Sequence, residues 1–189
     1  MTDSALLWYL NRATGTVLLI VFTLVVLLGI LSTFGNAGRR VPRFLTQALH
    51  RQLSLLGVAL LIAHVVTAVL DTFVDIRWWQ AVVPWWGSKY EPLWLSVGTL
   101  SLDLMALLLV TSLARSRMGH RSWRAVHVLG YVAWGAAVAH GFFIGTDYQS
   151  TWPKLLTLAC VVAVGLAALA RSVSVLVHRS HTRLERSLR

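Results

Sequence analysis

Five long apolar runs restrict this 189-residue chain to a membrane-spanning fold. Each run approaches the roughly 20 residues that a helix needs to cross a hydrocarbon core. Only helices or closed barrels satisfy their backbone groups in lipid, and these runs lack the alternation of barrel strands. We therefore predict an all-α integral membrane protein with one domain, the first helix being retained and not cleaved as a signal peptide. The five helices are expected at about 13–34, 47–70, 93–114, 123–144 and 153–177.

The net charge of +10 is distributed asymmetrically along the chain, which predicts its orientation. In a five-helix layout most arginines fall on one side, and the other side holds only Arg12, Arg77, Lys89 and Lys154 as cations. The positive-inside rule then places the N-terminus outside and the C-terminus, with a basic tail at 178–189, in the cytoplasm. We expect a multi-pass protein of the cytoplasmic membrane that contacts membrane lipid and binds no nucleic acid.

The second connection, about 71–92, is rich in tryptophan and is expected outside. Tryptophan prefers the membrane interface, where its ring is apolar and its N–H is hydrated. We expect WWQAVVPWW to be a short interfacial segment interrupted at Pro84. A membrane anchor and a lid over an outer site both remain open as its role.

Four histidines lie inside or at the start of apolar runs, where an ionisable side chain is costly and marks a candidate functional site. His50 and His64 belong to the second helix, and His127 and His140 belong to the fourth. Both helices cross in the same direction, and spacings of 14 and 13 residues correspond to roughly 21 Å and 20 Å. The spacing predicts two depth-matched pairs, His50 with His127 and His64 with His140. Neutral imidazole is a good ligand for haem iron, so we predict two bis-histidine b-type haems.

Helical phase supports the pairing better on one helix than on the other. Fourteen residues bring His64 to within about 40° of His50, whereas thirteen leave His140 roughly 140° from His127. The fourth helix therefore needs local tightening, tilt or reorientation, which Gly130 and Gly135 would permit.

Residues between and beside the histidines are further candidates for haem contact. Gly57 lies seven residues after His50, and Trp134 lies seven after His127. A glycine lets a macrocycle approach the helix closely, and the indole of Trp134 would shorten the path of an electron between two haems. Ordinary helix packing explains both residues equally well. Arg51 and Arg124 are candidate partners of haem propionates near the inner pair, although topology alone also explains them. Arg12, Arg77 and Lys89 would serve the outer pair.

The segments HRQLSLLGVALLIAHVVTAVLD and WRAVHVLGYVAWGAAVAHGFFIGTD resemble the two haem-carrying helices of the ferric reductase-like transmembrane domain. That family includes the membrane parts of ferric reductases and NADPH oxidases, and the haem subunit of a bacterial methionine sulfoxide reductase system. The resemblance covers roughly 39–147 and implies the ligand pairs His50–His127 and His64–His140. The family commonly has six helices, whereas five are expected here. No glycine fingerprint of a flavin- or nicotinamide-binding domain is present, so flavin is expected only through a partner protein.

Together these features predict a diheme cytochrome b that carries electrons across the membrane as the haem subunit of an oxidoreductase system. A cytoplasmic flavoprotein reductase or a quinone is the expected partner on one side. Ferric iron, oxygen, an extracytoplasmic flavin or a redox protein is the expected acceptor on the other. The direction of flow is left open. Two alternatives are a quinol-linked cytochrome b anchor of a dehydrogenase and a non-haem membrane scaffold or transporter.

Overall fold

The computed structural model describes residues 2–33, 42–72, 74, 76–85, 87, 89–145 and 150–187, with the backbone alone for 2–4 and 178–187. All regular structure in these ranges is helical. The α-helices are α1 Thr2–Leu31, α2 Arg43–Leu70, α3 Pro92–Leu113, α4 His120–His127, α5 Leu129–Phe143 and α6 Thr151–Ser187. Two short 3₁₀ helices cover Trp78–Ala81 and Arg115–Arg117.

Within the described part of the chain, five helical segments are long and apolar enough to cross a membrane, which confirms the predicted all-α membrane bundle. These segments are Ala5–Leu31, Arg43–Leu70, Pro92–Leu113, His120–Phe143 and Thr151–Val177. The first two segments begin several residues before the starts predicted from the apolar runs, because each helix extends through the polar residues at its N-terminal end. The side of the membrane that each terminus faces stays a prediction.

The fourth span is not one continuous helix but α4 followed by α5, with a turn at Val128. The N–H of Tyr131 donates to the carbonyl of Val128 over 3.1 Å. A hydrogen bond across three residues is tighter than the four-residue bond of an α-helix and changes the phase of the side chains that follow. This turn lies between His127 and His140, where helical phase required a local adjustment.

The helices pack mainly as two antiparallel pairs, α1 with α2 and α3 with α5, and α6 lies against α1. The small core joins α1, α5 and α6 through Phe22, Val26, Ile30, Ala133 and Val164. Many large apolar side chains elsewhere on the helices are exposed. An exposed apolar surface of this kind suits contact with lipid. The two histidine-bearing spans, α2 and α4–α5, thus belong to different pairs.

The tryptophan-rich connection is attached to α3 through a buried glutamine. The Oε1 of Gln80 accepts from the backbone N–H of Arg77 over 2.9 Å, and the Gln80 carbonyl accepts from Thr99 Oγ1 over 2.9 Å. Trp78 and Trp85 remain 68% and 63% exposed. Exposed indoles suit contact with the membrane interface, and the role of the segment as an anchor or a lid stays a prediction. Trp86 lies outside the described residues.

Candidate functional site

The structure brings the four histidines together as two separate pairs. The rings of His50 and His127 have centroids 6.2 Å apart, with an interplanar angle of 58°. The rings of His64 and His140 have centroids 6.4 Å apart at 87°. Each pair joins α2 to the α4–α5 span. These are the same partners that depth matching along the sequence predicts.

The separation of each pair is that of two imidazoles on opposite sides of one metal ion. A metal–imidazole bond is about 2.0–2.1 Å long, and about 1.1 Å separates that nitrogen from the ring centre, so two axial rings have centroids about 6.3 Å apart. Direct ring stacking or a hydrogen bond between imidazoles would bring the rings closer. In such a pair each ring can rotate about the line that joins the metal to its two nitrogen ligands. The angle between the two ring planes is therefore not restricted.

Three of the four histidines have a defined tautomer, because Nδ1 lies against a helix carbonyl that can only accept. The pairs are His50 Nδ1 with Val25 O at 2.9 Å, His64 Nδ1 with Asn11 O at 3.1 Å, and His140 Nδ1 with Trp94 O at 2.7 Å. The proton therefore resides on Nδ1 and the lone pair on Nε2. A carbonyl on the outer nitrogen is the usual arrangement around a metal-binding histidine.

His127 is held differently from the other three. Its Nδ1 is buried and has no hydrogen-bond partner. Its ring instead stacks on Trp123, with centroids 4.6 Å apart and planes 22° apart. The guanidinium carbon of Arg115 lies 4.5 Å from the Trp123 ring centroid. A stack of cation, indole and imidazole thus replaces the carbonyl contact of the other histidines.

Glycines of the neighbouring helices lie directly against three of the histidine rings. A Cβ added at Gly98 would overlap the His140 ring, and one at Gly15 would lie 3.0 Å from His64 Cε1. At Gly29 the added Cβ would be 3.6 Å from His50 Cε1, an ordinary contact. The sequence analysis did not identify these glycines. A signal was present for two of them, because Gly15 and Gly29 share the 14-residue spacing of the histidines on α2.

Trp134 and Gly57 lie at a level between the two histidine pairs. Trp134 packs against the core cluster, and its Nε1 donates to Thr23 Oγ1 over 3.1 Å. Gly57 is buried, and a Cβ there would meet Val21 Cγ1 at 3.6 Å. Gly57 therefore contributes to the contact of α1 with α2, whereas Trp134 joins α5 to α1 across the centre of the bundle.

A cavity of about 250 Å³ surrounds the outer pair and is lined by residues of α1, α2, α3, α5 and α6. Arg12, Asp71 and Tyr90 are among the polar residues that line it. Burial raises the pKa of Tyr90, so this phenol keeps its proton at neutral pH. Arg51 and Arg124, the candidate partners of the inner pair, have exposed side chains.

The two imidazoles of each pair suit a metal ion that is already bound by a macrocycle, because the macrocycle supplies the other ligands. Among the described residues, no group of three or more His, Cys, Asp and Glu side chains is placed to hold a metal ion. Each pair therefore supplies two imidazoles as candidate ligands, with no third such side chain of the described residues placed to join them. A porphyrin supplies four equatorial nitrogens and needs two axial ligands, so these pairs fit haem better than a bare ion.

Fold and site together define an integral membrane protein with paired histidines in a helical bundle. The chain belongs to the family of ferric reductase-like transmembrane components, whose model matches residues 14–138, two thirds of the sequence. This match confirms the resemblance found on the two histidine helices, and family membership indicates a role in electron transfer across the membrane. Comparison with curated proteins gives no match, and comparison with solved structures gives none either.

Proposed function

We propose that this chain is a diheme b-type cytochrome that carries electrons between a redox partner on one side of the membrane and an acceptor on the other. The observation that carries the proposal is the spacing of the two histidine pairs, 6.2 Å and 6.4 Å between ring centroids. Two such pairs at two depths provide two sites in series. A purely structural role for a histidine pair would not require a second pair of the same spacing at another depth.

The surrounding helices preorganise the ligands before any metal binds. The carbonyls of Val25, Asn11 and Trp94 fix the proton on Nδ1 of their histidines, so Nε2 needs no deprotonation in order to coordinate. Haem bound here supplies one-electron chemistry between its ferric and ferrous states. His50 with His127, and His64 with His140, would hold the haems, and a haem held by two histidines would be suited to electron transfer and not to oxygen binding.

Trp134 is proposed to lie on the path between the two sites. Its Nε1 bond to Thr23 fixes the indole at the level between the histidine pairs. The levels are roughly 21 Å apart along α2, a long step without an intervening group. An aromatic ring at this point divides the distance that the electron crosses through saturated side chains.

The charge distribution supports a cytoplasmic position for the inner pair. Arg43 and Arg51 flank this end of α2, and Arg115, Arg121 and Arg124 flank the matching end of α3 and α4. The positive-inside rule assigns this end to the cytoplasm. A cytoplasmic flavoprotein reductase, or a quinone from the bilayer, would therefore exchange electrons with the pair His50–His127.

The outer pair would exchange electrons with an extracytoplasmic acceptor or donor such as ferric iron, flavin or a redox protein. Arg12 lines the cavity around His64 and His140 and offers a cation to the propionates of a haem bound there. Residues of the outer connection, including Ile76, Ala81 and Tyr90, line this cavity. A partner that docks on this connection would therefore come close to the outer site.

The proposal is tested by an absorption spectrum of the purified protein with haem quantified per polypeptide. We expect two haems per chain and split α bands after dithionite reduction. Each single variant of the four histidines to alanine is expected to retain one haem. His178→Ala is the matched control, because this histidine lies on α6 beyond the membrane-spanning segment Thr151–Val177, outside both pairs, and should leave two haems. A wild-type protein without haem absorbance would refute the proposal.

A further inference from the structure

One local arrangement recurs three times around the histidines. A helix carbonyl accepts from the histidine Nδ1–H, and a glycine four residues later lies against the same ring. We call this arrangement a seat. The three seats are Asn11 with Gly15 for His64, Val25 with Gly29 for His50, and Trp94 with Gly98 for His140.

Helix geometry explains why the two parts of a seat are four residues apart. Residues i and i+4 lie one above the other on the same face of an α-helix. The carbonyl of residue i accepts the intrahelical bond of residue i+4 and retains a second lone pair for the imidazole. A side chain at i+4 would stand in front of that carbonyl. Glycine removes it and lets the ring reach the backbone.

His127 has no seat of this kind. Its Nδ1 is buried without a hydrogen-bond partner, and its ring stacks on Trp123 instead.

We propose that Gly15, Gly29 and Gly98 are positioning residues that orient three axial histidines, and that Trp123 orients the fourth. The inference rests on the proposed haem ligation and extends it to the difference between the two centres. The outer centre has two seated ligands. The inner centre has one seated ligand, His50, and one stacked ligand, His127.

The difference has an electronic consequence. An imidazole that donates its Nδ1–H to a carbonyl is more basic and stabilises the ferric state, which lowers the midpoint potential. Loss of a seat is therefore expected to raise the potential of the centre that it serves. The angle between axial ring planes also governs the low-spin ferric EPR signal, which becomes more anisotropic as the planes approach perpendicular. The outer pair, at 87°, is the more nearly perpendicular one.

The test is a graded series of glycine-to-alanine variants. The methyl group overlaps the ring at Gly98, is tight at Gly15 and makes an ordinary contact at Gly29. Gly165→Ala on α6 is the control, because nothing lies within 4 Å of an added Cβ there. Each variant is purified with its haem content measured, titrated potentiometrically by its absorption bands, and recorded by EPR in the oxidised state.

We expect G98A to raise the midpoint potential of one centre, alter its EPR signal or lose that haem, while the other centre stays unchanged. G15A should affect the same centre less strongly. G29A should produce the smallest change, and at the centre of His50, because its methyl makes only an ordinary contact, whereas G165A should match the wild type. If G98A does not fold, G15A still carries the test, because its methyl requires only a small ring displacement. Two unchanged haems in both G98A and G15A would overturn the inference while leaving the diheme proposal intact. A wild type without haem would instead refute the proposed function.

Discussion

His140 on α5 donates its Nδ1–H to the backbone carbonyl of Trp94 on α3 over 2.7 Å, the shortest of the three histidine–carbonyl bonds. This bond holds the imidazole against α3 and leaves its Nε2 with a free lone pair. The ring meets His64 of α2 at a centroid separation of 6.4 Å. One hydrogen bond thus links the packing of α3 with α5 to the geometry of the proposed outer centre.

Trp123 is expected to control the inner centre without affecting the outer one. Trp123→Ala removes the surface on which His127 stacks, so the inner haem should be lost or show an altered EPR signal. Trp123→Phe keeps an aromatic face and should retain the wild-type spectrum. The two variants are compared by haem content and EPR. An inner signal that is equally preserved in both would contradict a positioning role for the indole.

Trp134 is expected to influence both stability and the transfer of electrons between the two centres. Trp134→Ala removes a ring packed on the core and should cost about 3 kcal/mol. Trp134→Phe loses mainly the bond to Thr23, worth about 1 kcal/mol. Inter-haem transfer, timed after rapid reduction of one centre, should slow in the alanine variant and remain close to wild type with phenylalanine. Equal rates in all three proteins would exclude Trp134 from the path.

The Asn11 side chain is expected to stabilise the contact of α1 with α2 without being needed for haem binding. Its Nδ2 donates to the His64 carbonyl over 2.8 Å and to Thr67 Oγ1 over 3.2 Å. Asn11→Ala should lower the free energy of unfolding by about 1–2 kcal/mol, because both bonds are lost. The backbone carbonyl that accepts from His64 remains, so two haems should be retained.

Thr14→Ala provides the control for this variant, since Thr14 Oγ1 bonds only within α1, to the carbonyls of Leu10 and Asn11. Thermal unfolding in detergent, followed by circular dichroism, should show a smaller loss for this variant than for Asn11→Ala. A larger loss for Thr14→Ala would argue against the interhelical role of Asn11.

The orientation in the membrane is expected to follow the arginine distribution. Cysteines introduced by Lys89→Cys and Arg117→Cys lie at exposed positions on opposite ends of α3. A membrane-impermeant maleimide should label Lys89→Cys in intact cells and Arg117→Cys only after the membrane is opened. The native Cys160 is buried and supplies the background control. The reverse labelling pattern would place the inner pair outside.

Much of the fold followed from the sequence because the membrane simplifies the physical problem. Lipid requires each span to be helical, so apolar length alone located five helices. Depth along two helices that cross in the same direction then paired His50 with His127 and His64 with His140. The resemblance on these two helices led to the family that the comparison shows.

The features that the sequence did not reveal depend on backbone contacts between helices. Helical phase predicted a local adjustment of the fourth span, but its position at Val128, where α4 meets α5, is marked by no proline. Gly15 and Gly29 share the 14-residue spacing of the histidines on α2, but nothing in the sequence distinguishes Gly98, and all three contacts with the histidine rings arise only from helix packing. The contact of Trp123 with His127 could not be predicted from the sequence either, because it depends on where α4 begins.

The most direct test of the account is the haem content of paired histidine variants. Removal of either ligand is expected to release the haem that the two share, and removal of the second ligand then has no further effect. His64→Ala/His140→Ala should therefore retain one haem per chain, like either single variant. His50→Ala/His64→Ala removes one ligand from each proposed centre and should retain none. Retention of one haem in the second double variant, or loss of both in the first, would contradict the pairing on which the proposed electron path depends.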